Sequence, residues 1–375
     1  MIKVLTVVGT RPELIKLSRL ISRLDSCTEH CLVHTGQNFD YELNQIFFDD
    51  LSIRKPDYFL DCDTSSPMSL IGDSLVRVDR IISELRPDAF LVYGDTNSCI
   101  TALAAKRRKI PIFHMEAGNR CFDQRVPEEV NRKIIDHLSD INFVLSEHAR
   151  SYLLSEGIHP KHIVKSGSHM HEVLDYYMPK ITAASALDSL GLSPKNYILF
   201  SFHREENVDS LNNLSKIIEM ISAVCSTTGK VAVISLHPRT KKRVKDMNLS
   251  FPESAIVMPP FNFTDYISLQ LNAYIVLSDS GTLSEESSIL GFPAITIRNT
   301  HERPEATDSL NMPFSGLNTN RVLELIRLVT SSDRYDANVT NYIHDYTSPY
   351  CSELILSTVL SFVDYIQKNT WRNEH

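Results

Sequence analysis

Short apolar runs rich in β-branched and aromatic residues alternate along the chain with stretches whose apolar positions recur every three or four residues. The first pattern predicts buried strands and the second amphipathic helices. In the first half, strands are expected at residues 3–8, 31–35, 89–93, 110–114 and 141–145, with helices at 12–24, 69–85 and 128–138 among those between them. Around residues 157–167 the texture changes to a connection containing Gly, Pro and basic residues. A second alternating set then follows, with strands at 197–202, 231–236, 255–258, 274–277 and 294–297. Such alternation predicts an α/β fold of parallel sheets covered by helices. We expect two doubly wound, Rossmann-like domains, residues 1–168 and 169–351. A last helix within residues 352–375 would cross back onto the first domain.

The length of 375 residues suits two cores better than one. A net charge of −8 argues against a partner such as nucleic acid, which needs a basic surface. No apolar run reaches the roughly 18–20 residues that span a bilayer. The first residues, Met1-Ile-Lys-Val-Leu-Thr-Val-Val8, read as a strand rather than a signal peptide, so a cytoplasmic protein without membrane contact is expected. Seven cysteines without a C-x-x-C pair suggest neither a disulfide framework nor a zinc site.

The unusual residues fall where strands are expected to end. In the first half these are Gly9-Thr-Arg-Pro-Glu13, His34-Thr-Gly-Gln-Asn38, Gly94-Asp-Thr-Asn-Ser98 and the segment from Glu116 to Arg132. That segment sets Glu116, Asp123, Glu128 and Glu129 among three arginines. The second half has His203-Arg-Glu-Glu-Asn207, His237-Pro-Arg-Thr240, Ser278-Asp-Ser-Gly-Thr282 and the run from Arg298 to Glu305. Open α/β sheets bind ligands outside the carboxyl ends of their strands. If the two domains face each other, both sets converge on one interdomain cleft.

Ser278-Asp-Ser-Gly-Thr-Leu-Ser-Glu-Glu286 follows a strand and opens a helix. Small residues there admit a ligand to free amides and to the helix dipole, which favours phosphate. An ordinary helix cap would use the same residues. Ser280 and Gly281 are the diphosphate candidates, and Glu286 could accept hydrogen bonds from ribose hydroxyls. Arg11, at the start of the first helix, could add a phosphate-binding fork. Asp95, Glu116 and Glu128 are carboxylates at neighbouring strand ends, where one can act as base while another stays protonated. His203 and His237 both end strands, and His203 is favoured by the charged residues that follow it. His169-Met-His171 reads as part of the connection rather than a metal site. Neither G-x-G-x-x-G nor a Walker loop occurs.

Together these motifs, with Glu116-Ala-Gly118, Pro127-Glu-Glu-x-Asn-Arg132 and Glu302-Arg-Pro-Glu305, resemble the non-hydrolysing bacterial UDP-GlcNAc 2-epimerases in order over essentially the whole chain. The resemblance implies a glycosyltransferase-B-like fold, a UDP-sugar in the cleft, a homodimer, and no metal or nicotinamide. It puts Asp95, Glu116, Glu128, Arg132 and His203 in the catalytic site. Arg11, His237, Ser280, Gly281 and Glu286 would hold substrate, and Tyr266 would face the uracil. Gln37 and Asn38 lie where an activating second UDP-sugar would touch.

Two departures stand out. Thr282 replaces a usual glycine, and the stretch from Gly118 to Pro127 is short and differently composed. With Asp136-His-Leu-Ser-Asp140, this stretch resembles the branch that makes UDP-N-acetyl-L-fucosamine from UDP-2-acetamido-2,6-dideoxy-L-talose, a capsule and O-antigen precursor step. The alternatives are an ordinary UDP-GlcNAc/UDP-ManNAc 2-epimerase, a glycosyltransferase of the same architecture, and a UDP-sugar sensor.

Overall fold

Twelve strands in two parallel sheets make up the β-structure of the described residues, 1–36, 48–299, 302–309, 312–331 and 343–371 of a computed structural model. The first sheet contains β1 (Lys3–Val8), β2 (Glu29–His34), β3 (Tyr58–Phe59), β4 (Ala89–Tyr93), β5 (Ile112–Ala117), β6 (Ile141–Val144) and β7 (Ile163–Lys165). Their order is β3-β2-β1-β4-β5-β6-β7. The second contains β8 (Tyr197–Ser201), β9 (Val231–Ser235), β10 (Ala255–Met258), β11 (Ile275–Ser278) and β12 (Ala294–Thr296), ordered β10-β9-β8-β11-β12. Every strand pair is parallel, as apolar runs joined by helical crossovers require.

Both sheets reverse their winding once. The chain moves outward from β1 to β3 and then returns to add β4 on the other side of β1; the second sheet repeats this at β8 and β11. These switch points part the loops that leave neighbouring strands and open a crevice beside each sheet. Gly9–Glu13 and Gly94–Ser98 therefore flank the first switch point, and His203–Asn207 and Ser278–Thr282 flank the second.

Buried side chains of the strands pack against the covering helices to form the cores. In the first, Leu5, Val7, Phe90, Val92 and Ile112 pack with Val78, Ile81, Ile82 and Ile135 of the covering helices. The second joins Ile198, Phe200, Ile234, Ile275, Leu277 and Ile295 to Ile217, Ile221 and Val224. Helix Arg11–Cys27 buries Leu14, Leu17, Leu20, Ile21 and Leu24 along one face. The last helix, Cys351–Asn369, packs against it.

The chain divides into one unit of Met1–Asp175 with Asp345–His375 and another of Tyr176–His344. The division falls after Asp175, and the returning segment begins at Asp345. Gly167 packs against this returning segment. At φ +74° it lies so close to the returning chain that a Cβ would stand 2.8 Å from the Ser348 Cβ and 2.9 Å from the Asp345 carbonyl oxygen. Two strands escape the hydrophobic pattern. β3 has two exposed residues, and β7 has three residues inside the stretch expected to be a connection. Both are too short to show a period.

Candidate active site

The first sheet was expected to end β5 at residue 114, but the strand continues through Ala117 and carries an irregularity. Its pairing with β6 shifts between Met115 and Ala117, leaving Glu116 as the extra residue. Glu116 also has φ +66°, a left-handed conformation that a side-chain-bearing residue adopts only at a cost. A bulge of this kind re-aims a side chain at the rim of a sheet. Here the Glu116 carboxylate meets Lys16 at 2.6 Å, with the lysine side chain 5% exposed. Sequence reasoning missed Lys16, which occupies a helical position where a solvent-facing lysine would look the same. Its ammonium also lies 5.4 Å from the centre of the Tyr93 ring.

The backbone after Glu116 is held by buried charges. Asp136, fully buried, accepts from the Gly118 amide at 3.2 Å, lies 2.9 Å from His114 Nδ1 and pairs with Arg120 at 2.7 Å. His114 Nε2 reaches the Gly94 carbonyl oxygen at 2.9 Å. One carboxylate thus ties together the ends of β4 and β5, next to Asp95 and Glu116. Burial alone would raise the Asp136 carboxyl, but the interactions with His114 and Arg120 outweigh it and hold it below the usual range. Gly118 packs so closely that a Cβ would stand 2.5 Å from the Ala149 carbonyl oxygen.

The Glu116–Arg132 segment separates into an outer and an inner part. Asp123 pairs with Arg125, whose side chain is 86% exposed. Inside, Arg132 donates to Asp95 at 2.7 Å and to the buried Glu129 at 2.9 Å. Glu129 also accepts from the Cys121 and Phe122 amides and so shapes the loop. Glu128 is half-buried in the first turn of helix Pro127–Leu138, and Arg11 half-buried at the start of helix Arg11–Cys27. Asp95 and Arg132 are in direct contact, and Glu116 lies on the neighbouring strand. Gln37 and Asn38 lie outside the described residues.

In the second unit, Asp279 organises the loops at the switch point. Fully buried, it accepts from the His203 amide at 3.1 Å, the Arg204 amide at 3.1 Å and Asn207 Nδ2 at 2.9 Å. His203 and His237 stand at adjacent strand ends with ring centres 6.4 Å apart. Gly281 has Arg204 Nη2 3.2 Å from where its Cβ would be, so a side chain there would press on the guanidinium. Ser280 Oγ lies 3.0 Å from Thr282 Oγ1, which donates to Glu286 at 2.6 Å; Gln270 donates to the other Glu286 oxygen at 2.7 Å. Tyr266 hydrogen-bonds Ser201 and Gln270, and burial, with Glu286 nearby, pushes its hydroxyl well above the usual range. Ser280, Glu286 and Tyr266 therefore belong to one polar chain beside the start of helix Leu283–Leu290. Replacing Asp279 by Asn is expected to lower stability by about 1–3 kcal/mol, because a buried donor loses its acceptor. Thermal unfolding checks this, and an unchanged midpoint would contradict the role given to Asp279.

Comparison with known proteins identifies the family of this fold. A family model described as UDP-N-acetylglucosamine 2-epimerase matches residues 23–360. The chain belongs to the UDP-N-acetylglucosamine 2-epimerase family. A solved UDP-N-acetylglucosamine 2-epimerase from Rickettsia bellii is 49% identical, with 100% of both chains covered and a TM-score of 0.93. The Methanocaldococcus jannaschii UDP-GlcNAc 2-epimerase, solved in complex with UDP-GlcNAc and UDP, is 31% identical over 96% of this chain and 99% of that one, at a TM-score of 0.88. A Pseudomonas aeruginosa UDP-2,3-diacetamido-2,3-dideoxy-D-glucuronate 2-epimerase is 36% identical over 80% of this chain and 84% of its own. Membership in this family makes the protein an isomerase of the non-hydrolysing 2-epimerase kind. Among the described residues, no helix is long and apolar enough to cross a membrane.

Proposed function

We propose that the protein inverts C2 of UDP-2-acetamido-2,6-dideoxy-L-talose to give UDP-N-acetyl-L-fucosamine, acting as a homodimer without a metal. The observation that carries the reaction type is the set of carboxylates at the ends of β4 and β5, each beside a buried cation: Asp95 with Arg132 and Glu116 with Lys16. C2 has no adjacent carbonyl, so its hydrogen is barely acidic. Breaking the C1–O bond, with its electrons leaving on UDP, gives C1 oxocarbenium character and acidifies that hydrogen. One carboxylate takes the proton, leaving a 2-acetamidoglycal with a C1–C2 double bond. A second carboxyl group then delivers a proton to the opposite face of C2, and a β-phosphate oxygen of UDP attacks C1. Asp95, Glu116 and Glu128 are the proton-handling groups, with Arg132 and His203 beside the reacting sugar. In the second unit, Ser280 and Gly281 hold the diphosphate and Glu286 the ribose. Arg11 and His237 assist the leaving UDP, whose charge grows as the bond breaks, and Tyr266 faces the uracil.

The 6-deoxy sugar is favoured by the loop between Glu116 and Glu128. It carries Phe122, 66% exposed and edge-on to Tyr152 at 5.2 Å, and its composition is what resembles the branch that acts on the 6-deoxy sugar. The second reading, epimerisation of UDP-GlcNAc, is favoured by the relative solved with that sugar nucleotide. Parallel assays of the two substrates decide between them. The proposal expects kcat/KM for the L-talo substrate to be about 10²-fold higher, the scale on which apolar pockets discriminate. A higher value for UDP-GlcNAc would overturn it in favour of the second reading.

A further inference from the structure

Glu13 lies outside the proton-handling set, yet its carboxylate joins the two loops that flank the first switch point. It accepts from the Gly9 amide at 2.7 Å and from the Thr10 hydroxyl at 2.9 Å. An acid in the first turn of any helix makes bonds of this local kind. Two further bonds are different, because they come from the loop after β4. Thr96 Oγ1 donates to Glu13 Oε1 at 2.6 Å and Ser98 Oγ to Oε2 at 3.3 Å, across 83 and 85 residues of sequence. Thr96 is the residue next to Asp95. The side chain that spans these loops is 3% exposed, out of reach of a ligand in solution.

We propose that Glu13 is a positioning residue for the epimerisation, clamping the loop after β1 to the loop after β4 and thereby fixing where Asp95 presents its carboxylate. The proposal rests on the proton-handling role given above to Asp95.

The clamp has two hydrogen-bond states. With Glu13 ionised, all four donors point at its oxygens. With Glu13 protonated, its own O–H becomes a donor, so one of the three hydroxyls around it, Thr10, Thr96 or Ser98, must accept rather than donate; the Thr96 hydroxyl can then turn to Ser98 Oγ, 2.6 Å away. The protonated clamp therefore receives one donation fewer than the ionised one. Burial pushes the Glu13 carboxyl up to about 7; bonds from Thr96, Gly9 and Thr10 pull it down, and the nearby Asp95 charge adds to the rise. Cys99 also faces Glu13 from the short helix Asn97–Thr101, and burial holds its thiol far above the usual range, so it stays neutral. Lys16, one turn along the same helix, is engaged with Glu116. The sign is fixed by the raised value. The protonated form dominates below about pH 7, so the clamped, fully ionised state and turnover increase as pH rises through that point.

The test compares pH–rate profiles and C2 deuterium exchange for wild type, Glu13→Gln, Thr96→Val, Thr96→Ser and Asp95→Asn. Wild type should show an ionisation near pH 7 in kcat that Glu13→Gln lacks. Glu13→Gln and Thr96→Val should lower kcat about 10–100-fold with KM changed far less, the scale of a small displacement of a reacting group. Thr96→Ser should recover most of the Thr96→Val loss, since it restores the hydroxyl. An unchanged ionisation in folded Glu13→Gln, or Thr96→Val with near-wild-type kcat, would overturn the proposal while an inactive Asp95→Asn left the role of Asp95 standing. Full exchange in Asp95→Asn would overturn both.

Discussion

Glu116→Gln, Asp95→Asn and Glu128→Gln are each expected to lower turnover by about 10²–10⁴-fold while UDP affinity changes only a few-fold. A group that transfers a proton only during reaction stabilises the transition state, so its loss appears in kcat rather than in ground-state binding. The geometry makes the argument sharpest at Glu116. A strand that could have ended in ordinary pairing instead carries a bulge and a left-handed residue at the position that reaches Lys16. Strain of that kind persists where surrounding packing enforces it, and it concentrates at functional sites. A purely structural Glu116 predicts a different result. Gln would leave the nearly buried Lys16 ammonium without its anion and lower stability, while activity per folded molecule survived. Melting temperature, UDP affinity and turnover on the same preparations separate the two. Near-wild-type turnover in all three folded variants would remove the acids from the mechanism.

Arg120→Met should have the largest effect on stability, a loss of about 3–5 kcal/mol, because it strips a buried carboxylate of its cation. Arg120 is 1% exposed and binds Asp136 at 2.7 Å and Glu156 at 2.6 Å. In the wild type the depressed Asp136 carboxyl contributes stability above the unfolded carboxylate range, and this is lost only as the pH falls through its lowered value. Without Arg120 that carboxyl rises, so the deficit of the variant should be greatest at neutral pH and shrink in acid. The double variant Arg120→Met with Asp136→Asn should recover part of the loss, since the uncompensated charge is gone. Urea unfolding at several pH values measures all three. A deficit below about 1 kcal/mol at neutral pH would show that Asp136 does not depend on Arg120.

How far the sequence reaches depends on the range of the forces involved. Strands such as β1, β4 and β8 are legible because four or five consecutive buried positions leave a local signature. The motif residues are legible because small and charged residues interrupt those runs at their ends. Lys16 is not, since a buried lysine and a surface lysine share one helical pattern, and only Glu116, 100 residues later, distinguishes them. Asp136 is hidden in the same way. It sits on an amphipathic helix, and its partners His114, Gly118 and Arg120 come from another strand and loop. Glu13 was visible as part of a motif, but its bonds to Thr96 and Ser98 cross more than 80 residues. The bulge at Glu116 depends on pairing with β6, which no local period encodes.

The central claim is that UDP leaves, a glycal forms, and C2 is reprotonated from the other face. Incubating the purified protein with UDP-2-acetamido-2,6-dideoxy-L-talose in deuterated water, and following C2 by NMR, tests it most directly. The account predicts one deuterium at C2 of the epimerised product, with the UDP–sugar bond intact in the final species. Epimerised product that retains the original hydrogen at C2, or sugar released from UDP without epimerisation, would contradict it.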